Sequence, residues 1–347
     1  MRVLERLDEL YAIGGGPGAN RPHGSPAEDE AHRRAASWLA DAGLEVEVDR
    51  HGNLFGHARG PASGERVSDT VSDTCWAGSH LDTVPQGGRF DGALGVVAAI
   101  AAVERVGIGS VVVFRGEEVG CIGSRALVAA GDPLPRAFLE LHVEQGPVLA
   151  ERDAPLGVVT GIVGYARGEL VLSGHAGHAG TTPMVGREDA LVAAAAEILR
   201  VREAALAIEG AVATVGQVEV EHGGANVIPS RVRLSLDVRA PDAERLEALI
   251  AAIGFEPSYR VEPAQFTGAA RQALRDAIAS RGLSPLELPS GAGHDAGILA
   301  SAGVDAAMLF VRSLNDGVSH SPDELSSDED VELAVDVLAD ALVATTR

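Results

Sequence analysis

Apolar and polar positions divide the 347-residue chain into stretches of different rhythm. Residues 26–42, PAEDEAHRRAASWLADA, are acidic at their start and stop at Gly43, which predicts a helix. LEVEVDRHGNLFGHA alternates on both sides of a Gly52-Asn53 turn, the pattern of a hairpin. The polar residues 59–74 carry VSDT twice and read as a mobile loop rather than a repeat array. A β-α-β pattern follows, with a short strand at 76–80, an apolar helix at 95–106 and an almost continuous apolar strand at 110–115. Another strand is predicted at 138–143.

From about Leu156 the rhythm changes to strand, strand, helix (188–208), strand (211–220), strand (231–239), helix (243–253), strand. After Pro263 longer helices and buried strands return, ending in a helix begun by SSDEDVEL, where Ser326 and Glu329 stand at capping-box spacing. The prediction is an α/β fold. Residues 1–154 and 262–347 would form one discontinuous catalytic domain with a mixed sheet, and residues 155–261 a smaller inserted α+β domain.

Composition narrows the classes. Hydrophobic residues make up 46% and charged residues 22%, as in an ordinary globular protein. The formal net charge of −22 argues against nucleic acid or anionic membranes as partners and suits a protein that holds cations. Every basic residue except histidine is arginine, which removes Schiff-base, P-loop and carbamylated-lysine chemistry. Cys75 and Cys121 are too few for a disulfide framework, and MRVLERLDELYAIGG lacks the apolar core of a secretory signal. The apolar runs are too short to span a membrane. A cytoplasmic location is expected.

The candidate chemistry gathers where predicted strands give way to loops. GSHLDTVPQGGRFDG supplies His80, Asp82 and Asp91, and VVVFRGEEVG supplies Glu117 and Glu118. LELHVEQG adds His142, and GVSHSPDE adds His320, far along the chain. In open α/β sheets, the carboxyl ends of strands are where sites collect. Imidazoles and carboxylates in this number suit divalent metals, and adjacent glutamates allow one to bind metal while the other takes a proton from water. Asp82, two residues beyond His80, can hold the other ring nitrogen. In the inserted unit GHAGHAGTTPM offers His178, HGGANVIPS offers Asn226 and LSLDVRAP offers Arg239. His and Asn can donate to a developing oxyanion, and an arginine fork suits a substrate carboxylate. GGGPG at 14–18 follows no strand and has no P-loop lysine, and no GxSxG elbow surrounds Ser79.

Taken together, these blocks, with HAGTTPM, NVIP, DVRAP and SGAGHDA in order, resemble the metal-dependent N-carbamoyl-L-amino-acid hydrolases, allantoate amidohydrolases and β-ureidopropionases of the metallo-aminoacylase and carboxypeptidase superfamily. The resemblance implies two divalent metals per subunit, zinc first, with manganese, cobalt or nickel possible. Asp91 would bridge them, with His80 and His142 on one and Glu118 and His320 on the other. Glu117 would be the general base, assisted by Asp82 and His178. Gln145, His178, Asn226, Arg239 and His294 would line the pocket for a small carboxylate substrate. The inserted domain would be a lid through which subunits form a homodimer. One departure stands out: EEVGCIGSRALVAAGDPLPRAF is shorter than the corresponding run in family members, so the pocket wall is expected to differ. The alternatives are an N-acyl-amino-acid deacylase or dipeptidase with the same metal set, or a non-catalytic protein that captures a small acidic ligand.

Overall fold

The computed structural model describes residues 3–58 and 75–346; the loop expected at 59–74 lies outside them. The chain starts with α1 (Val3–Ala12) and α2 (Pro26–Asp41). Pro26 sits at the head of α2 and the Ser25 hydroxyl accepts the Glu28 N–H, the two devices that start a helix well. The hairpin forms as β1 (Glu45–Val48) and β2 (Leu54–His57), closed by Asp49, which accepts from the N–H groups of His51 and Asn53. Next come β3 (Cys75–His80), α3 (Ala93–Val106), β4 (Ser110–Phe114), α4 (Ile122–Ala129), β5 (Ala137–Val143), α5 (Val148–Glu151) and β6 (Leu156–Ile162).

The chain then enters a second unit, residues 162–264. It contains β7 (Gly164–Ser173), β8 (Gly177–His178), α6 (Ala190–Leu206), β9 (Val212–Glu221), β10 (Val227–Ile228), β11 (Arg231–Ala240), α7 (Ala243–Ile253) and β12 (Pro257–Val261). Four of these strands make an antiparallel sheet ordered β12-β7-β11-β9. In β11 every second residue, from Val232 to Ala240, is buried, the alternation of a sheet with one covered face. Leu234, Leu236 and Val238 pack there with residues of α6 and α7.

After β13 (Ala264–Gln265), the first unit (residues 1–161 and 265–347) resumes with α8 (Ala269–Ala279), β14 (Leu286–Ser290), α9 (Asp295–Ser301), β15 (Asp305–Val311) and α10 (Asp328–Thr346). Among the described residues its sheet has nine strands, ordered β1-β2-β4-β3-β5-β15-β6-β13, with β14 also on β6. The centre, β4-β3-β5-β15, is parallel, while β2 and β6 run antiparallel on either side. Helix α3, nearly all apolar and buried, packs with α10 beside the central strands.

Two readings shift. The change of rhythm at Leu156 suggested that the insertion starts at residue 155, but 156–162 form β6, antiparallel to β15 in the large sheet. The cap of α10 is Ser327, whose hydroxyl accepts the Asp330 N–H, not Ser326, which instead donates to the Arg312 carbonyl. Two serines precede the acidic run, and spacing alone does not say which one faces the helix.

Candidate dimetal active site

Each parallel strand of the large sheet delivers a polar side chain at or beyond its carboxyl end. His80 closes β3, Glu117 and Glu118 follow β4, His142 lies near the end of β5, and His320 comes from the loop after β15. Asp91 sits between β3 and α3, where the backbone turns sharply at Gly92 (φ 63°). A Cβ on Gly92 would lie 2.4 Å from the His80 ring, so only glycine lets Asp91 come this close to the histidine.

The Asp91 carboxylate is the common point. Oδ1 lies 3.2 Å from His142 Nε2 and 3.8 Å from His80 Nε2, while Oδ2 lies 3.3 Å from His320 Nε2. His320 Nε2 is in turn 3.4 Å from Glu118 Oε2. Among the described residues, His80, Asp91 and His142 form one set of converging ligand atoms, and Asp91, Glu118 and His320 another. The Nε2 atoms of His80 and His142 are buried with no hydrogen-bond partner, and both face the Asp91 carboxylate. Lone imidazole nitrogens and carboxylates in such an arrangement fit divalent cations. The opposite ring nitrogens are anchored, His142 Nδ1 on the Val143 carbonyl at 2.9 Å and His80 Nδ1 on the Asp82 carbonyl at 3.1 Å.

Asp82 does more than face His80, whose Nδ1 is 3.4 Å from its Oδ1. Its two oxygens accept the N–H groups of Glu117 and Glu118, each at 3.1 Å. One carboxylate therefore shapes the turn that presents both glutamates and touches the histidine on the neighbouring strand. Glu117 Oε2 lies 3.7 Å from His80 Nε2, and Oε1 lies 3.6 Å from His294 Nδ1. His294 is held by Ser290, whose hydroxyl donates to the Ala292 carbonyl and lies 3.0 Å from His294 Nε2. With the hydroxyl proton spent, Nε2 must carry the ring proton, and Nδ1 faces Glu117 as an acceptor.

Electrostatics follows burial and charge. Burial raises the Glu117 carboxyl well above its ordinary range; His80 opposes this, while Asp295, Glu118 and Asp91 reinforce it. Burial likewise lifts Glu118. For Asp91 burial acts upward too, but His142 and His320 outweigh it and hold the carboxyl well below its usual value. Burial would depress His80, yet Glu117, Asp82 and Asp91 together keep it well above its usual value. His294, buried beside His142, is pushed well down and stays neutral.

Gln145 lies in this cluster with its amide Nε2 3.0 Å from both Asp91 Oδ2 and Ser319 Oγ. The residues expected in the pocket from the inserted unit are found within that unit. His178 in β8 pairs with Val227 of β10, next to Asn226, whose carbonyl accepts the Ala179 N–H. The Gly180 N–H donates to His178 Nδ1, which leaves Nε2 as the protonated nitrogen of the neutral ring. Arg239 lies over the Tyr165 ring and donates to Asp237. Sequence reasoning passed over Glu324, Glu140 and Asp295, all buried. Glu324 accepts from the N–H groups of Phe90 and Asp91, Glu140 from Ser79 and the Ala296 N–H, and Asp295 from Ser124. Glu140 lies within β5 and Asp295 opens α9, where a single acid reads as a solvated face or a helix-start residue, and Glu324 lies in a loop; only its position in GVSHSPDE, near His320, gave a hint.

A sheet that gathers imidazoles and carboxylates at the carboxyl ends of its parallel strands, with a smaller unit inserted in the chain, defines a metal-dependent hydrolase. The chain belongs to peptidase family M20/M25/M40, whose model matches residues 76–344. It is 35% identical to an N-carbamoyl-L-amino acid amidohydrolase of Geobacillus stearothermophilus, covering 97% of this chain and 96% of the relative. It is 32% identical to an allantoate amidohydrolase of Bacillus subtilis (90% and 89% covered). A solved hydantoinase/carbamoylase-family amidase from Burkholderia multivorans superposes with a TM-score of 0.86 at 30% identity, covering 99% of this chain and 97% of that one. The chain is accordingly an enzyme, an amidohydrolase. Its match to the Geobacillus protein runs over 402 aligned positions, more than the chain's 347 residues, so the relative carries segments that this chain lacks.

Proposed function

We propose that this enzyme hydrolyses the ureido C–N bond of a small carboxylate substrate, an N-carbamoyl-L-amino acid or an allantoate-like ureido acid, releasing ammonia and carbon dioxide. The observation that carries this reading is the Asp91 carboxylate shared between two ligand sets, with Glu117 beside them. Two divalent ions per subunit would be held by His80, Asp91 and His142, and by Asp91, Glu118 and His320; zinc suits these donors first, with manganese, cobalt or nickel as substitutes. When bound, such ions polarise the substrate carbonyl and make water a better nucleophile.

Glu117 then acts as general base. It takes the proton of the attacking water and delivers it to the departing nitrogen, a task for which a carboxyl raised by burial is well suited. Asp82 holds the glutamate turn and His80 in register. His294 offers a neutral ring to the substrate, and Gln145 a side-chain amide. From the lid, His178 would donate its Nε2–H to the developing oxyanion with help from Asn226, and Arg239 would receive the carboxylate. The lid is also proposed to join two subunits, since α6 and the edge strand β9 expose Val192, Leu199, Leu206 and Val212. Both cysteines are buried and unpaired, which suits a reducing, cytoplasmic setting.

The test is ammonia release by metal-stripped protein, before and after adding zinc or manganese, from N-carbamoyl-L-amino acids and allantoate. Metal-restored release is expected, and Glu117→Gln should lower it about 10²–10⁴-fold while the protein still binds metal. A Gln variant with parental turnover would remove Glu117 from the mechanism. The competing reading is an N-acyl-amino-acid deacylase with the same candidate metal ligands. Turnover of N-acyl amino acids with silence on every ureido acid would establish it.

A further inference from the structure

The loop after β15 contributes more than His320. Glu324 is buried, 4% exposed, and both its oxygens are engaged. Oε1 accepts the main-chain N–H groups of Phe90 (2.7 Å) and Asp91 (3.0 Å), and Oε2 accepts the Ser319 hydroxyl (3.0 Å). Ser319 Oγ also accepts from Gln145 Nε2, and the same amide nitrogen donates to Asp91 Oδ2. The bonds close a ring that leaves Asp91 by its backbone and returns at its carboxylate. Gly88 leaves room for it, because a Cβ there would lie 2.2 Å from the Glu324 carboxyl.

We propose that Glu324 is a positioning residue which, through Ser319, sets both the Asp91 carboxylate and the orientation of the Gln145 amide. Asp91 Oδ2 is an acceptor, so the Gln145 atom facing it must be the nitrogen. Ser319 has one proton; Glu324 takes it, and the serine oxygen is then obliged to accept from Gln145. Were Ser319 to point its proton at Gln145 instead, the amide would be drawn round. With Nε2 spent on Asp91 and Ser319, the atom Gln145 can offer a substrate is Oε1, an acceptor. A ureido group carries a terminal NH₂ donor that an acyl group lacks, so the ring favours ureido substrates over their acyl counterparts. The proposal rests on the reading of Asp91 as the shared metal ligand.

Glu324→Ala, Glu324→Gln and Ser319→Ala, each in the full chain, test it by two readouts. The first is zinc affinity from competition with a chromophoric chelator; the second is the split of KM and kcat on an N-carbamoyl and an N-acetyl amino acid. Glu324→Ala, which strips acceptors from Phe90 and Asp91, is expected to weaken zinc binding about tenfold or more. Glu324→Gln should restore most of that affinity, because its Oε1 can still accept both N–H groups. Its amide nitrogen, however, would meet Ser319 and turn the hydroxyl. Glu324→Gln and Ser319→Ala should therefore share one signature, a KM for the carbamoyl substrate raised severalfold with reduced preference over the acetyl one. A folded Glu324→Ala with parental zinc affinity overturns the proposal. If that variant does not fold, parental KM and preference in both milder variants overturn it. Parental protein that binds no zinc would instead sink the dimetal reading itself.

Discussion

His32 shows how much one buried side chain can carry without taking part in the chemistry. It lies on α2, 5% exposed, and neither ring nitrogen has a hydrogen-bond partner. Burial, helped by the Arg115 charge, lowers its pKa from 6.5 to about 3. The unfolded ring takes up its proton near 6.5 and the folded one only near 3, so between these values the unfolded state binds more protons. Stability is thus fully present above 6.5 and drains away as pH falls through that window. The loss between pH 7 and pH 5 should be on the order of 2 kcal/mol. Denaturant midpoints at the two pH values check this: His32→Leu should lose that part of the slope, and an unchanged slope would exonerate the histidine. At the same scale, the candidate metal ligands were legible in the sequence because they sit at strand ends or in the loops beyond them, in motifs of unusual polarity. The orientation of Gln145 and the burial of Glu324 were not legible, since both depend on partners more than 50 residues away, Asp91 for the first and the Phe90-Asp91 backbone for the second.

At the scale of elements, helix α3 lies so close to the sheet that its packing tolerates no side chain at one position. A Cβ on Gly95 would lie 2.3 Å from the Leu141 carbonyl oxygen and 2.6 Å from the Ser79 Cβ. The first of these is backbone in β5, beside His142, and cannot swing aside as a flexible side chain could. Gly95→Ala is expected to cost about 1–3 kcal/mol, read from the shift in denaturant midpoint, and to loosen metal binding as β5 moves. A neutral change would mean that helix and sheet are less tightly docked than their spacing implies. Hydrophobic periodicity located α2, α6, α7 and the strands β1 to β5, β9 and β11 well, because patterned segments announce which face is covered. It failed at β6, a buried run whose sheet is fixed only by β15, formed about 150 residues later. It also missed the serine that caps α10, since that choice is made by the Arg312 carbonyl.

For the whole molecule, the net charge of −22 keeps copies apart, and any stable pairing must come from an apolar patch strong enough to overcome it. The exposed valines and leucines of α6 and β9 are the candidates. Light scattering should give twice the chain mass, and Leu199→Arg should shift it towards the single-chain value by placing a charge at the centre of α6's exposed row. A parental chain that stays single at micromolar concentration would mean that each site is completed within one subunit.

The position of β15 has a consequence for how the molecule is made. β15 fills the place between β5 and β6, yet it is synthesised after the whole of residues 162–264. As the polypeptide leaves the ribosome, Ala137–Val143 waits with an open edge of unpaired backbone N–H and C=O groups until Asp305–Val311 arrives. The inserted unit, whose sheet is made of its own consecutive segments, can mature during that delay. The nascent catalytic unit cannot, and those seconds are when a chaperone has most to protect.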